Sequence, residues 1–198
     1  MTSTDRFERV IQRIDDANSE DPNSELVDGV AQPKEQVYGA RMQEWVERLD
    51  PQAPEALRIA ARSQHIRRWE IPRSDYPLDR KGYLRWRTTL YTFHADAASS
   101  LLRAESYDEE TIERVRTLLQ KRNLRTDPDV QTLEDAAALV FLDHSLDDFL
   151  DRQDIGDEKA IDIIRKTWRK MTERGHAAAS TLKLSPGSSA LLKKALAE

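Results

Sequence analysis

The segment from Thr132 to Phe149, TLEDAAALVFLDHSLDDF, limits the possible folds more than any other stretch. Leu133, Ala136, Val140 and Asp143 recur at helical spacing on one side, and Leu139, Leu142, Leu146 and Phe149 on a second. Thr132 with Asp135 reads as its amino-terminal cap. A helix that is apolar on two sides has to be covered on both, so other amphipathic helices must pack around it. The rest of the chain supplies them. Phe7, Val10, Ile11 and Ile14 form one stripe; Tyr38, Met42, Trp45 and Leu49 form another after Pro33. From Pro54, Leu57, Ala61, His65 and Trp69 stack at intervals of four on a third helix, which Pro72 stops at Ile71. Tyr83, Trp86, Leu90, Phe93, His94, Ala97 and Leu101 mark a long fourth helix from Lys81. Ile112, Val115 and Leu119 carry a fifth, with Ser106 and Glu109 as its capping box. Ile161, Ile164, Trp168 and Met171 give one more after Gly156, and Ser185-Pro186 opens a short last one.

No segment alternates as a half-buried strand does, and DDANSEDPNSELVDGVAQP reads as a loop of the length that often borders a site. The expectation is an all-α fold. At 198 residues it is a single compact domain of about seven or eight helices, with a core over about 5–174 and a helical appendage over 175–198. No apolar run approaches the roughly 20 residues that span a bilayer. The amino terminus lacks the apolar region of a secretion signal, so a cytoplasmic location and no membrane partner are expected. The absence of cysteine removes disulfides, thiolate catalysis and Cys-ligated zinc. A net charge of −5 and a pI near 5.5 disfavour nucleic acid as a partner. Oligomeric state is not legible.

Against that acidic background, Arg58 to Arg87 holds nine basic residues and three acidic ones. Arg62, Arg67, Arg68, Arg73, Arg85 and Arg87 surround Trp69, Tyr76 and Trp86 in the sequence. Guanidinium forks onto phosphate or carboxylate and stacks on aromatic faces, which suits a small anionic molecule as ligand. The plainer alternative pairs these arginines with Glu70, Asp75, Asp79 and acidic residues of other helices. His65, His94 and a carboxylate of the two-sided helix, Asp143 with Glu134 or Asp135 beside it, are residue types that hold a divalent manganese, iron or zinc ion or serve as an acid/base pair. Each histidine has an equally plain alternative as a hydrogen-bonded core residue, His144 and His176 included. If the two stripes face the same interior, side-chain nitrogens of His65 and His94 come within roughly 8 Å, as flanking ligands of one metal would, with Asp143 in similar reach.

HIRRWEIPR, GYLRWR, DPN, YGARMQEW and TLEDAAALVFLDH together resemble, over nearly the whole chain, a family known as a domain of unknown function (number 4202). Some members carry a glutamyl-tRNA(Gln) synthetase label. Lys170 to Gly175, KMTERG, looks like the KMSKS element, and His65-Ile66 like the start of HIGH. The strand-rich nucleotide fold such enzymes need has no counterpart here, and the label is not carried over. A more distant similarity is to HD-domain phosphohydrolases, helical proteins with a metal held by histidines and aspartates of successive helices. In this chain Tyr38 stands where the first histidine is expected and Ile66 follows His65 in place of aspartate, so the His-Asp motif is degenerate. The resemblance implies a metal on His65, His94 and Asp143 that activates water, Arg67, Arg68 and Arg87 on a phosphate, and hydrolysis of a small phosphorylated or nucleotide-type molecule. The rival function is a non-catalytic helical module that binds an anionic metabolite or acidic peptide in the Arg/Trp-rich pocket.

Overall fold

The first apolar stripes supply the buried faces of two helices. In a computed structural model that describes residues 3–151 and 156–197, α1 (Ser3–Ser19) buries Val10 and Ile14, and α2 (Lys34–Leu49) buries Met42, Trp45 and Leu49. The core continues through Leu57, Ile59 and Ala60 of α3 (Glu55–Arg62), Leu90, Ala95 and Leu102 of α4 (Arg80–Ala104), and Ile112, Val115 and Leu118 of α5 (Glu109–Leu119). α2 and α5 both pack on α3, α4 packs on α5, and α1 lies against α2, α3 and α4. These elements form one compact unit, Met1–Val130.

The second unit, Gln131–Glu198, holds most of α6 (Pro128–Val140), a π-helical turn at Phe141–Ser145, α7 (Leu146–Leu150), α8 (Asp157–Trp168), α9 (Glu173–Ala179) and α10 (Pro186–Leu196). Within it α10 packs on α7 and α8. The described residues thus contain ten α-helices where seven or eight were expected. The π-helical turn divides the two-sided segment, and α9 forms where no stripe was read; the 174/175 division expected for an appendage falls inside α9. No helix among the described residues is long and apolar enough to cross a membrane.

The fold is mostly helical, with one departure from all-α. Ser24–Val27 and Val30–Pro33 pair as an antiparallel hairpin, β1 and β2, with Val27 opposite Val30. Asp28-Gly29 is its two-residue turn, with positive φ of 50° and 79°. Both residue types tolerate that geometry, and Asp-Gly is a strong hairpin signal that outweighed the polarity of the stretch. Two caps also differ from expectation. Ser106 is left-handed (φ 60°), and the α5 cap is Asp108, whose carboxylate accepts from Thr111 N at 2.7 Å. α6 starts at Pro128, four residues before Thr132, with the Asp127 carboxylate accepting from Asp129 N at 3.0 Å. Proline at the first helical position after aspartate is the better start signal.

Candidate functional site

The third helix ends at Arg62, well short of the expected Ile71. The chain then turns through 63–67, and Arg67 adopts a left-handed φ of 50°. That conformation is costly for a non-glycine residue unless neighbours impose it. Asn18, near the end of α1, does so: its side-chain oxygen accepts from Arg67 N at 3.0 Å, and its amide donates to Glu35 O at 3.4 Å. The Asp21 carboxylate accepts from Glu35 N at 3.0 Å. The end of α1, the start of α2 and the turn after α3 are thereby tied together, and His65 sits on that turn instead of an inward helical stripe. Ile66 takes the fully buried place. Replacing Asn18 with alanine strands one backbone donor and one acceptor, each worth about 1–3 kcal/mol when left unsatisfied. Urea denaturation of Asn18→Ala is expected to show a loss of about 2–4 kcal/mol; a loss under 1 kcal/mol would mean that Asn18 does not hold the turn.

The turn places His65 flat against Tyr38 of α2, ring centres 3.9 Å apart and 8° from parallel. Gly39 permits this approach, because a Cβ there would lie 2.6 Å from the Arg62 carbonyl oxygen. His65 Nδ1 is 3.0 Å from Glu35 Oε2, and Nε2 is 3.3 Å from Arg68 Nη1. Arginine can only donate, so Nε2 accepts and the ring proton sits on Nδ1, donated to Glu35. The sequence-expected partner is close as well: the His94 ring centre lies 6.0 Å from that of His65. His94 is buried on α4, with Nδ1 donating to the Ile66 carbonyl at 2.8 Å, while its Nε2 is buried with no hydrogen-bond partner among the described residues.

Burial and charge shift the protonation of all three groups. Burial above all, then the positive charges of Arg68, Lys121, Arg87 and Lys34, hold His65 well below the usual histidine range. Burial, with the neighbouring His65 next, lowers His94 to about 3. Burial raises Glu35 to about 7, against the pull of Arg68. Both imidazoles are therefore neutral at physiological pH, and Glu35 exchanges its proton near neutrality.

The arginines divide by what already holds them. Arg62 forks onto Asp15, with both contacts at 2.6 Å. Arg67 reaches Glu20 at 3.5 Å and Glu70 at 3.7 Å. Arg73 donates to the carbonyls of Tyr76 and Pro77 and shapes the crossover loop. Arg85 lines a shallow cleft of about 420 Å³ with Glu70, Ile71, Asp75, Tyr76 and Pro77. Arg87 donates to the Tyr91 hydroxyl. Trp69 is half-buried on a single 3-10 turn, Arg68–Glu70. Trp86 donates its indole N–H to Ile71 O at 2.9 Å and offers its face to Arg68, 4.7 Å from the ring centre, and more distantly to Arg73. Arg68 reaches a neutral imidazole at 3.3 Å, and its carboxylate partner among the described residues is Glu35, at 3.9 Å and half protonated near pH 7.

A family described as Domain of unknown function (DUF4202) matches residues 8–192. The chain belongs to this family. No curated protein and no solved structure matches the chain. The family match spans both compact units, so the cluster around His65 lies within it.

The ligand set implied by the HD-type resemblance does not fit a divalent cation. Both nitrogens of His65 are engaged, one by a guanidinium, and the surrounding charges are positive. Asp143 lies in the second unit on the π-helical turn, with its carboxylate 3.2 Å from His144 Nε2. Among the described residues no group of three or more histidines, aspartates and glutamates is arranged to hold a metal ion. The carboxylate at His65 is Glu35, which sequence reading passed over. Asp28-Gly29 was the missed signal, since a hairpin there fixes where α2 begins and brings Glu35 beside the turn after α3. Nothing local marks Asn18, Asp21 or Lys121.

Proposed function

We propose that the chain is a non-catalytic helical module that binds a small anionic molecule at the pocket formed by His65, Arg68, Tyr38 and Trp86. The observation that carries this reading is the state of Arg68: a guanidinium held over an indole face, about a third exposed, and matched to a neutral ring in place of a forked carboxylate. An incoming carboxylate or phosphate supplies the forked partner that Arg62 already has in Asp15. Stacking on Trp86 fixes the guanidinium plane in advance and lowers the ordering cost of binding. The hydrolase alternative relies on a metal-bound water, which this donor set does not support.

Thermal unfolding across a panel of phosphorylated and carboxylated metabolites tests the reading. A ligand present at 100 times its Kd stabilises by about 2.7 kcal/mol, a shift of several degrees. Arg68→Ala is expected to abolish the shift, and Arg85→Ala, in the outer cleft, to retain it. Unchanged melting in every anion, or a full shift in Arg68→Ala, counts against the site. Phosphate release from any phosphoester would return the chain to the hydrolases.

A further inference from the structure

Positive charge acts on His65 from several elements of the first unit. Lys34 at the start of α2, Arg68 on the turn, Arg87 of α4 and Lys121 after α5 all act on the imidazole. Glu35 faces it directly, Asp21 acts on Glu35 from behind, and His94 is its remaining titratable neighbour. One of these cations, Lys121, and Arg67 on the turn beside His65 carry left-handed backbones with φ of 53° and 50°. Non-glycine residues hold such conformations where the surroundings impose them, often at binding sites. An oxyanion that forks onto Arg68 is the ligand that suits this charge.

Docking of such an oxyanion on Arg68 changes what His65 meets. The guanidinium N–H now directed at Nε2 turns to the ligand, because a charged acceptor outcompetes a neutral one. Nε2 then presents a lone pair to an anionic oxygen, and two acceptors repel. A proton on Nε2 converts that contact into a charge-assisted hydrogen bond, while Nδ1–H continues to donate to Glu35. We infer that binding of an oxyanion here is accompanied by uptake of one proton from solvent onto His65 Nε2, which makes the affinity follow pH. This rests on the anion-binding reading above. Without ligand the ring is neutral, so the Nε2 lone pair that Arg68 releases on turning to the ligand is open to the proton.

Isothermal titration of the full chain with sulfate, in buffers of low and high ionisation enthalpy, measures the proton directly. Sulfate stays dianionic near neutrality, so a proton taken up lands on the protein. The expected result at pH 7.5 is about one proton per sulfate bound, with affinity falling about ten-fold per pH unit above that. His65→Gln keeps an amide donor and is expected to bind sulfate without proton uptake and with a flat pH profile; Glu35→Gln is expected to retain the uptake. Sulfate binding by the unaltered chain without proton uptake overturns the coupling and leaves the anion site standing. Uptake that survives in His65→Gln, or vanishes in Glu35→Gln, puts the proton elsewhere and overturns the assignment to His65. Binding of neither sulfate nor inorganic phosphate overturns both readings.

Discussion

Below about pH 4.5 the fold is expected to lose stability steeply, and His94→Asn to remove much of that loss. His94 is buried, and its folded-state pKa is depressed from the ordinary 6.5 to about 3. Between those values the unfolded chain binds a proton that the native state refuses, so stability is present above pH 6.5 and declines as pH falls toward 3. At about 1.4 kcal/mol per pKa unit, the shift amounts to about 4–5 kcal/mol at most. His65, depressed for the same reason of burial with Arg68 and the other cations adding to it, contributes in the same direction. Glu35 opposes them. Its pKa is raised from 4.5 to about 7, so its contribution is present below pH 4.5 and is lost as pH rises to 7. The effects partly cancel between pH 4.5 and 6.5, and the histidine loss stands unopposed below that window. Asparagine at 94 can keep a donor toward Ile66 O and cannot titrate. Urea denaturation at pH 3.5, 5 and 7 is the measurement. Parallel pH profiles for His94→Asn and the unaltered chain would remove His94 as the source of acid sensitivity.

Asp135→Ala is expected to destabilise the second unit by about 3–4 kcal/mol, and Gly175→Ala by about 1–3 kcal/mol, with the double substitution costing less than the sum. Asp135 is fully buried on α6 and accepts from both the backbone N–H of Thr172, at 2.9 Å, and the Thr172 hydroxyl. Thr172 in turn caps α9, its hydroxyl accepting from Gly175 N at 3.2 Å. Removing the carboxylate leaves donors without a partner at the start of α9. Gly175 is needed for another reason: a Cβ there would stand 2.8 Å from Asp135 Cγ, against a side chain that its hydrogen bonds prevent from moving. In the double variant the alanine methyl enters the space the carboxylate vacates. A double-mutant cycle by chemical denaturation reads the coupling, and strict additivity would mean that the two groups do not share that space.

Asp135 also shows where sequence reading went astray. Its position in T-x-x-D suggested a cap for its own helix and a spare ligand carboxylate near Asp143. In the structure it holds Thr172, the cap of a different helix 37 residues on, through a contact that no local pattern encodes. The arginines teach the same lesson. Six of them looked equivalent as ligand contacts; Arg62 is taken by Asp15, Arg73 by loop carbonyls and Arg87 by the Tyr91 hydroxyl, while Arg68 stands between the His65 ring and the Trp86 face.

By itself the sequence determined what depends on periodicity and local chemistry. The apolar stripes of Val10 and Ile14 and of Met42, Trp45 and Leu49 are buried as read, because a repeat of 3.6 residues leaves one face to cover, whereas on α4 the buried face runs through Ala95, Ala98 and Leu102 beside the stripe that was read. The Ser185-Pro186 helix start is local in the same sense, with the serine hydroxyl accepting from Ser188 N. Tertiary structure alone decided the end of α3 and with it the pocket. Leu57, Ala61, His65 and Trp69 keep perfect helical spacing, yet the helix stops at Arg62. Asn18 takes the Arg67 N–H, the Asp28-Gly29 hairpin delivers Glu35, and Gly39 lets Tyr38 close on the ring. Helical propensity differs among most residues by only tenths of a kcal/mol, and a few hydrogen bonds from distant parts of the chain are enough to override it.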